Sequence, residues 1–173
     1  NAVKDYPFTT VAGPRKKIRT VSQENIEELE DSFYTDLSFG TGGMRGIMGV
    51  GTNRINKYTL GKATQGLSQF LSQEYPKETL KVVIAYDSRH QSKELAKIVA
   101  DIFTANKIHC YLFSDLRPTP ELSFAVKHLD AHCGIVLTAS HNPPEYNGYK
   151  VYGKDGGQLV PPHDTKIIQI IKE

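Results

Sequence analysis

A serine with basic neighbours follows a short apolar run towards the end of the chain. Residues 134–137 read Gly-Ile-Val-Leu, which is typical of a buried strand. Pro143 and Pro144 prevent that strand from continuing and keep Asn142 out of the helical region. Ser140 is therefore expected on a stiff loop at the carboxyl end of a strand, where open α/β sheets bind their ligands. Its hydroxyl is suited to carrying a phosphoryl group.

Two side chains close to this serine in the sequence could assist such a transfer. His141 follows it directly, and because imidazole titrates near neutral pH it could orient or deprotonate a hydroxyl. Lys150 could supply positive charge or take part in proton transfer. Each has an ordinary alternative. A lone Ser-His pair most often belongs to a surface loop, and a strand lysine often lies along apolar surface with its charge in water.

Five motifs occur in order between about residues 37 and 165. They read Phe-Gly-Thr-Gly-Gly-Met-Arg-Gly at 39–46, Gly-Thr-Asn-Arg-Ile-Asn at 51–56, Tyr-Asp-Ser-Arg at 86–89, Phe-Ser-Asp-Leu-Arg-Pro-Thr-Pro at 113–120, and Thr-Ala-Ser-His-Asn-Pro at 138–143 with Asn-Gly-Tyr-Lys at 147–150. Together they resemble the motifs of the α-D-phosphohexomutases, the phosphoglucomutase/phosphomannomutase family, in the longer branch that also includes phosphopentomutases. The last motif is similar to that family's active-serine signature.

The resemblance implies a role for each residue of the candidate site. Ser140 would carry the phosphoryl group as phosphoserine, and an oxygen of that phosphate would ligate Mg²⁺. Arg45 matches a family arginine that reaches the reacting phosphate, a task suited to a planar, multi-donor guanidinium. Lys150 aligns with a lysine close to the phosphoserine that serves in proton transfer or charge stabilisation. Without the resemblance, an arginine in a glycine-rich loop, as Arg45 is expected to be, is more often a surface or salt-bridge residue. The candidate catalytic residues are Ser140, His141, Lys150 and Arg45.

The family's other magnesium ligands come from an Asp-x-Asp-x-Asp-Arg loop in the second of four domains, and no such string occurs here. The resemblance therefore identifies residues 37–173 as the first domain of a longer enzyme, preceded by an extension, residues 1–36, that contains a helix. It predicts a fragment that folds but has no catalytic activity without the remaining domains.

The full enzyme would move a phosphoryl group between O1 and O6 of a hexose phosphate through a sugar bisphosphate, with a glucose 1,6-bisphosphate-type activator. A phosphopentomutase, a sugar-bisphosphate synthase of the same family and a non-catalytic, phosphoserine-bearing binding module are alternatives. A serine hydrolase is disfavoured because the Gly-x-Ser-x-Gly elbow is absent. The preferred sugar is not indicated, since the family's sugar-reading loop belongs to the third domain.

Other basic residues have less specific interpretations. Arg89 and Arg117 lie at the turns that follow predicted strands, and we interpret both as fold-stabilising, with a phosphate contact as the alternative. The basic run at residues 15–17 is interpreted as a solvated surface.

Apolar spacing predicts that strands alternate with helices. Strands are expected at 80–86, 108–113, 134–137 and 149–152, and helices at 22–34, between Asn56 and Pro76, after a capping Ser92, at 120–129 and after Pro161-Pro162. This order favours a three-layer α/β domain with a mostly parallel (mixed) sheet of about four strands packed between helices, as in domain I of phosphoglucomutase.

Composition limits the partners. The 173-residue chain is long enough for one domain with a real core. Its 21 basic and 19 acidic residues nearly balance, so neither a nucleic-acid nor a membrane partner is implied. Cys110 and Cys133 are too few for a disulfide framework or a zinc site and are interpreted as buried thiols of a cytoplasmic protein. A sugar phosphate and the remaining domains of the same chain are the expected partners.

Overall fold

The structure, a computed structural model, describes residues 26–172, and in that part of the chain it contains five helices and five strands. In chain order these are α1 (Ile26–Phe33), β1 (Gly43–Ile47), α2 (Lys57–Glu74), β2 (Lys81–Tyr86), α3 (Ser92–Ala105), β3 (His109–Leu112), α4 (Thr119–His128), β4 (Cys133–Leu137), β5 (Tyr146–Gly153) and α5 (His163–Lys172). The predicted helix start at residue 22 and the basic run at residues 15–17 lie outside the described residues.

The strands form one mixed sheet in the order β1-β5-β4-β2-β3. Strand β2 pairs in parallel with β3 and β4, whereas β5 is antiparallel to both β4 and β1. Because β2 and β4 are parallel neighbours, the loops that follow them meet at one edge of the sheet. The backbone N–H of Asp87, just after β2, donates to the carbonyl of Leu137 at the end of β4 (3.1 Å). This edge positions the Ser140 loop.

The predicted fold class is confirmed, but the sheet has five strands rather than about four. The additional strand, β1, lies in the glycine-rich segment that the sequence pattern represented as a loop. Its glycines hide the apolar alternation of a strand, although Met44 pairs with Tyr149 and both side chains are buried. Gly43 opens the strand with φ +127°, and a Cβ there would lie 1.8 Å from the Tyr149 carbonyl oxygen. Only glycine fits that position.

The two faces of the sheet carry cores of different size. On one face, α2, α3 and α5 cover a large cluster to which every strand except β3 contributes buried side chains. On the other face, α4 packs against β2 and β4 through a smaller cluster that contains Val83, Val136, Leu122 and Val126. The sequence pattern predicted the parallel strands β2 and β4, because buried parallel strands are almost continuously apolar.

Helix starts show where local rules apply and where tertiary contacts replace them. Helix α2 begins after Asn56, whose side chain accepts the N–H groups of Tyr58 and Thr59 in a capping box. The prediction that Ser92 caps α3 is wrong. Gln91 occupies the cap position with φ 60° and makes no side-chain cap bond, and the Ser92 hydroxyl instead donates to Asp87 Oδ1 (3.1 Å). None of the described helices combines the length and apolar character needed to cross a membrane.

Candidate active site

Ser140 lies on the loop after β4, as predicted, and its hydroxyl is exposed to solvent. The residue has φ 54°, in the left-handed region that residues with a Cβ rarely adopt. Its backbone N–H donates to Thr138 Oγ1 (2.9 Å), and the N–H of Asn142 donates to the Ala139 carbonyl (3.1 Å). The chain therefore turns sharply at the serine and presents Oγ outwards.

The Lys150 ammonium donates to Ser140 Oγ at 2.6 Å. Lys150 lies on β5 opposite Val136 of β4, so the central strands of the sheet fix its backbone. Burial, and after it the positive charge of Arg45, lowers the pKa of the Lys150 ammonium below its usual value of 10.5, while Asp87 acts in the opposite direction. A lysine that loses its proton more readily than usual can exchange one with a neighbouring oxygen.

Arg45 lies on strand β1 rather than in the loop that the sequence suggested. It pairs with Gly148 on β5, while Gly43 pairs with Lys150. Alternate residues of a strand share a face, and so do directly paired residues of neighbouring strands. The side chains of Arg45 and Lys150 therefore lie on the same face of the sheet, the face on which α4 packs. Arg45 Nη1 donates to Asn142 Oδ1 (2.7 Å), which places the guanidinium next to the Ser140 loop.

Gly148 permits the close packing of β1, β5 and the segment leading to Ser140. A Cβ at this position would lie 2.6 Å from the Thr138 carbonyl oxygen and 2.8 Å from that of Met44. The Thr138 N–H donates to the Gly148 carbonyl at 3.1 Å. The glycine of the Asn-Gly-Tyr-Lys motif is therefore needed for the backbone to approach this closely.

The structure does not bring His141 to the serine hydroxyl. Its side chain is exposed, and within residues 26–172 no hydrogen bond or ion pair joins it to Ser140 or Lys150. The role proposed for His141 stays a prediction. Lys150 and Arg45 are the cationic side chains that, among the described residues, hydrogen-bond to side chains of the Ser140 loop, namely those of Ser140 and Asn142.

The two other candidate arginines have different surroundings. Arg89 donates to backbone carbonyls of the Ser140 loop, among them those of Ser140 and Asn142. Arg117 donates to the carbonyl of the preceding residue (2.6 Å) and pairs with Glu121 one helical turn on (3.1 Å). Of the two, only Arg89 contacts the candidate site, and the interpretation of both as fold-stabilising stays a prediction.

A largely buried polar network that the sequence pattern did not indicate lies beneath the loop. Asn147 is fully buried and donates from Nδ2 to the His90 carbonyl (3.1 Å) and to Ser92 Oγ (3.0 Å). Ser92 donates in turn to Asp87 Oδ1, which also accepts the Arg89 N–H (2.9 Å). Asn147 belongs to the Asn-Gly-Tyr-Lys motif, so the sequence marked the residue, but only the fold shows that it binds the His90 carbonyl and Ser92.

The described residues supply few ligands for a metal ion. Among them no group of three or more His, Cys, Asp or Glu side chains is arranged to bind one. Asp87, which follows the neighbouring strand, already binds Ser92 and Arg89. Ser140 could offer only its hydroxyl or, after phosphorylation, a phosphate oxygen. These donors fit one corner of the magnesium site implied by the resemblance, not a complete site.

Comparison with known proteins agrees with the fold of this chain. The model of the phosphoglucomutase/phosphomannomutase alpha/beta/alpha domain I matches residues 36–173. A phosphoglucomutase of Staphylococcus epidermidis is 46% identical over 138 residues, which are 80% of this chain and 25% of that protein. A structure from Thermus thermophilus aligns with a TM-score of 0.72 at 30% identity, over 79% of this chain and 30% of that one.

A second solved structure, of a phosphoglucomutase/phosphomannomutase family protein from Burkholderia thailandensis, aligns with a TM-score of 0.62 at 25% identity. The alignment covers 76% of this chain and 29% of that one. The chain thus spans about a quarter of the length of the curated relatives that it matches.

Proposed function

The chain belongs to the phosphoglucomutase/phosphomannomutase family as its alpha/beta/alpha domain I, and we propose that Ser140 is the residue that carries the phosphoryl group in an intramolecular phosphotransferase. The observation that carries this proposal is the 2.6 Å contact between Lys150 Nζ and the exposed Ser140 Oγ. A surface serine needs no such partner. A hydroxyl that gains and loses a dianionic phosphoryl group needs both a cation and a proton carrier.

The proposed step transfers the phosphoryl group from phosphorylated Ser140 to a hydroxyl of a sugar phosphate. The sugar oxygen forms a bond to phosphorus while the bond from phosphorus to Oγ breaks. Lys150 delivers a proton to the departing Oγ and takes the proton that the sugar hydroxyl loses, so it returns to its starting state. Its lowered pKa suits both halves of this exchange.

Arg45 would bind the phosphoryl oxygens during that step. Its guanidinium is exposed and is held near the loop by Asn142, a neutral partner that a phosphate would readily replace. A planar guanidinium can bind two oxygens at once and spread positive charge over the transferring group. Mg²⁺, if bound through a phosphate oxygen on Ser140, would neutralise further charge there.

We propose a hexose phosphate as the substrate of the whole protein, with a sugar bisphosphate as activator, and a pentose phosphate as the alternative within the family. The further magnesium ligands and the sugar contacts would come from other domains of the protein. We therefore expect the present chain alone to be folded but catalytically inactive, in keeping with the complete core and the partial metal site.

The test is Ser140→Ala in the intact protein, assayed with glucose, mannose and ribose 1-phosphates. Turnover is expected to fall by roughly 10³-fold or more, since a covalent carrier cannot be bypassed within the same mechanism. The sugar that the wild-type protein converts fastest identifies the substrate class. Near-normal turnover by the alanine variant would contradict the assignment of Ser140, and inactivity of the wild type on all three sugars would contradict the proposed reaction.

A further inference from the structure

The guanidinium of Arg89 binds four carbonyl oxygens, three in the loop that carries Ser140 and one at the first residue of β5. Nη2 donates to the carbonyls of Ser140 (2.9 Å) and Asn142 (2.6 Å), and Nη1 donates to those of Pro143 (2.9 Å) and Tyr146 (2.9 Å). One side chain, placed just after β2, thus connects three residues of the loop that follows β4 with the start of β5. No other described side chain makes as many hydrogen bonds to this segment.

The loop needs such a donor because of its own sequence. Pro143 and Pro144 have no N–H groups, so the loop has fewer donors than an ordinary turn for its own carbonyls. Its backbone supplies the bonds from Asn142 to Ala139 (3.1 Å) and from Tyr146 to Pro143 (3.0 Å). Arginine supplies further donors in a rigid fork, whereas an ammonium is a compact point charge that could not span the same four carbonyls.

Two of these contacts act on the geometry of the reacting serine. Arg89 holds the carbonyl of Ser140, and Thr138 Oγ1 accepts its N–H, so both peptide groups that flank this residue are fixed. Ser140 can therefore stay at φ 54°, a conformation that is unfavourable for a residue with a Cβ. That conformation aims Oγ at Lys150.

Arg89 is itself held in place before any ligand arrives. Its side chain is 12% exposed, and its Nε lies 3.7 Å from Asp87 Oδ2. Its backbone N–H donates to Asp87 Oδ1 (2.9 Å). With its donors directed at carbonyls and its charge partnered by Asp87, Arg89 is placed to shape the loop rather than to bind phosphate.

We propose that Arg89 is the positioning residue for the Ser140 hydroxyl: it sets the loop conformation in which Oγ meets Lys150, without contacting the transferring phosphoryl group. This inference rests on the proposed function, in which Ser140 is the phosphoryl carrier. It goes beyond that function by assigning the alignment of the hydroxyl to one residue outside the loop. Loss of this alignment slows transfer while leaving the affinity for substrate and the pH dependence set by Lys150 unchanged.

The experiment compares Arg89→Lys with Arg117→Lys in the intact protein. Arg117 is the matched control, because it too follows a parallel strand, but it contacts its own neighbourhood and not the Ser140 loop. A labelled glucose 1,6-bisphosphate is mixed with excess protein, and label on the peptide containing Ser140 is followed in a single turnover. Amide hydrogen exchange of residues 138–149 is measured on the same proteins.

Arg89→Lys is expected to lower the rate constant for labelling roughly 10²-fold, the scale of a small misplacement of reacting groups, while the final amplitude is retained. Exchange in residues 138–149 accelerates, and exchange in β2 and α3 does not. Arg117→Lys changes neither measurement. The pH dependence of the rate keeps its shape in both variants, because Lys150 is present in each.

An unchanged rate constant with a reduced amplitude would overturn the proposal, since it would mean that the substitution only lowers the folded fraction. Unchanged exchange of residues 138–149 would overturn it as well, whatever the rate. If the wild-type protein transfers no label to Ser140, the proposed function fails instead. In that case, faster amide exchange of residues 138–149 in Arg89→Lys would still show that Arg89 stabilises the loop conformation, and unchanged exchange would show that it does not.

Discussion

The Ser140 loop lies between two groups of side chains with different surroundings, a buried region and an open region. Beneath it, Asp87, Ser92 and Asn147 form a polar network in which Asn147 and Ser92 are almost completely buried, and each makes a hydrogen bond to another member. Above it, Arg45 and Lys150 lie on strands but direct their charged groups towards solvent and the loop. The buried region has fixed partners, whereas the open region has partners that a phosphate could replace.

From this difference we expect the buried region to contribute mainly to stability and the open region to the proposed chemistry. A buried amide or hydroxyl that loses its partner costs folding free energy. A cation that hydrogen-bonds to a neutral oxygen keeps a favourable partner when an anion takes the place of that oxygen. Substitutions beneath the loop are therefore expected to change unfolding more than catalytic rate constants, and substitutions above it to do the opposite.

Lys150→Met gives the largest expected effect on the open side. Because the variant can neither carry a proton nor offset charge, turnover of the intact protein should fall about 10²–10⁴-fold, the usual range for general acid-base groups. Its free energy of unfolding should not fall, since burial already disfavours the charged lysine. Lys150→Arg, the matched control, keeps the charge. A changed pH profile in that variant indicates proton transfer, and an unchanged one indicates a role in charge alone, which would contradict the proposed shuttle.

Arg45→Lys should have the next largest effect although it keeps the positive charge. Loss of the second donor arm should cost about 2 kcal/mol of transition-state stabilisation, or roughly 30-fold in kcat, by analogy with a lost oxyanion donor. In Arg45→Gln the pKa of Lys150 should rise towards its usual value, because the neighbouring positive charge is gone while burial remains. Lysine NMR titration measures that rise. A Lys150 pKa that stays the same or falls would show that the positive charge of Arg45 does not act on Lys150, which would contradict the description of the open region.

Asn147→Asp tests the buried region. The carboxylate would lack the donors that now reach the His90 carbonyl and Ser92 Oγ. We expect a loss of about 1–3 kcal/mol in the free energy of unfolding, measured by denaturant titration. Asn106→Asp, at the half-exposed end of α3, is the control and should cost less. Equal losses for the two variants would show that burial of the network contributes nothing measurable.

The smallest effect is expected at the opposite end of the sheet, where His132 Nδ1 accepts the Lys81 N–H (3.2 Å) and Nε2 therefore donates to Glu78 (2.9 Å). This hydrogen bond, with Lys154 nearby, lowers the pKa of the Glu78 carboxyl from its usual 4.5. A carboxylate with a lowered pKa adds stability above the pKa of the unfolded chain and loses it as pH falls through the pKa of the folded one.

Acid unfolding of the wild type and of Glu78→Gln measures that contribution. The glutamine keeps an oxygen that can accept from His132 but does not titrate, so its stability should decline less below pH 4.5. Lys150→Met should show the wild-type decline, because it alters only the other end of the sheet. Identical acid curves for the wild type and Glu78→Gln would show that the contact does not contribute.

The sequence predicted most of the fold because its signals are local. The apolar runs of β2 and β4 and the helical spacing of α2 identified buried elements correctly. Strand β1 was missed because its glycines serve a tertiary need, the close approach of Gly43 to Tyr149. The prediction that Ser92 caps α3 was wrong because the Ser92 hydroxyl donates to Asp87, across the turn, and not to a group of its own helix.

The candidate site was predicted unevenly for the same reason. Ser140, Lys150 and Arg45 came from motifs, and the fold places them together. Neither motif nor composition indicated which arginine serves the loop, since Arg89 and Arg117 follow strands in the same manner. Arg89 follows β2 and reaches the loop after β4 because β2 and β4 are neighbours in the sheet. That strand order is a property of the whole sheet.

Whether Ser140 carries the phosphoryl group is tested by following that group through one turnover. Intact wild-type protein is mixed with labelled glucose 1,6-bisphosphate, quenched within one turnover and mapped by peptide mass spectrometry, and a second sample is chased with unlabelled sugar monophosphate. If Ser140 carries the phosphoryl group, label appears on Ser140 and passes to the sugar during the chase. Label on a different residue, or turnover with no label on the peptide that contains Ser140, would contradict it.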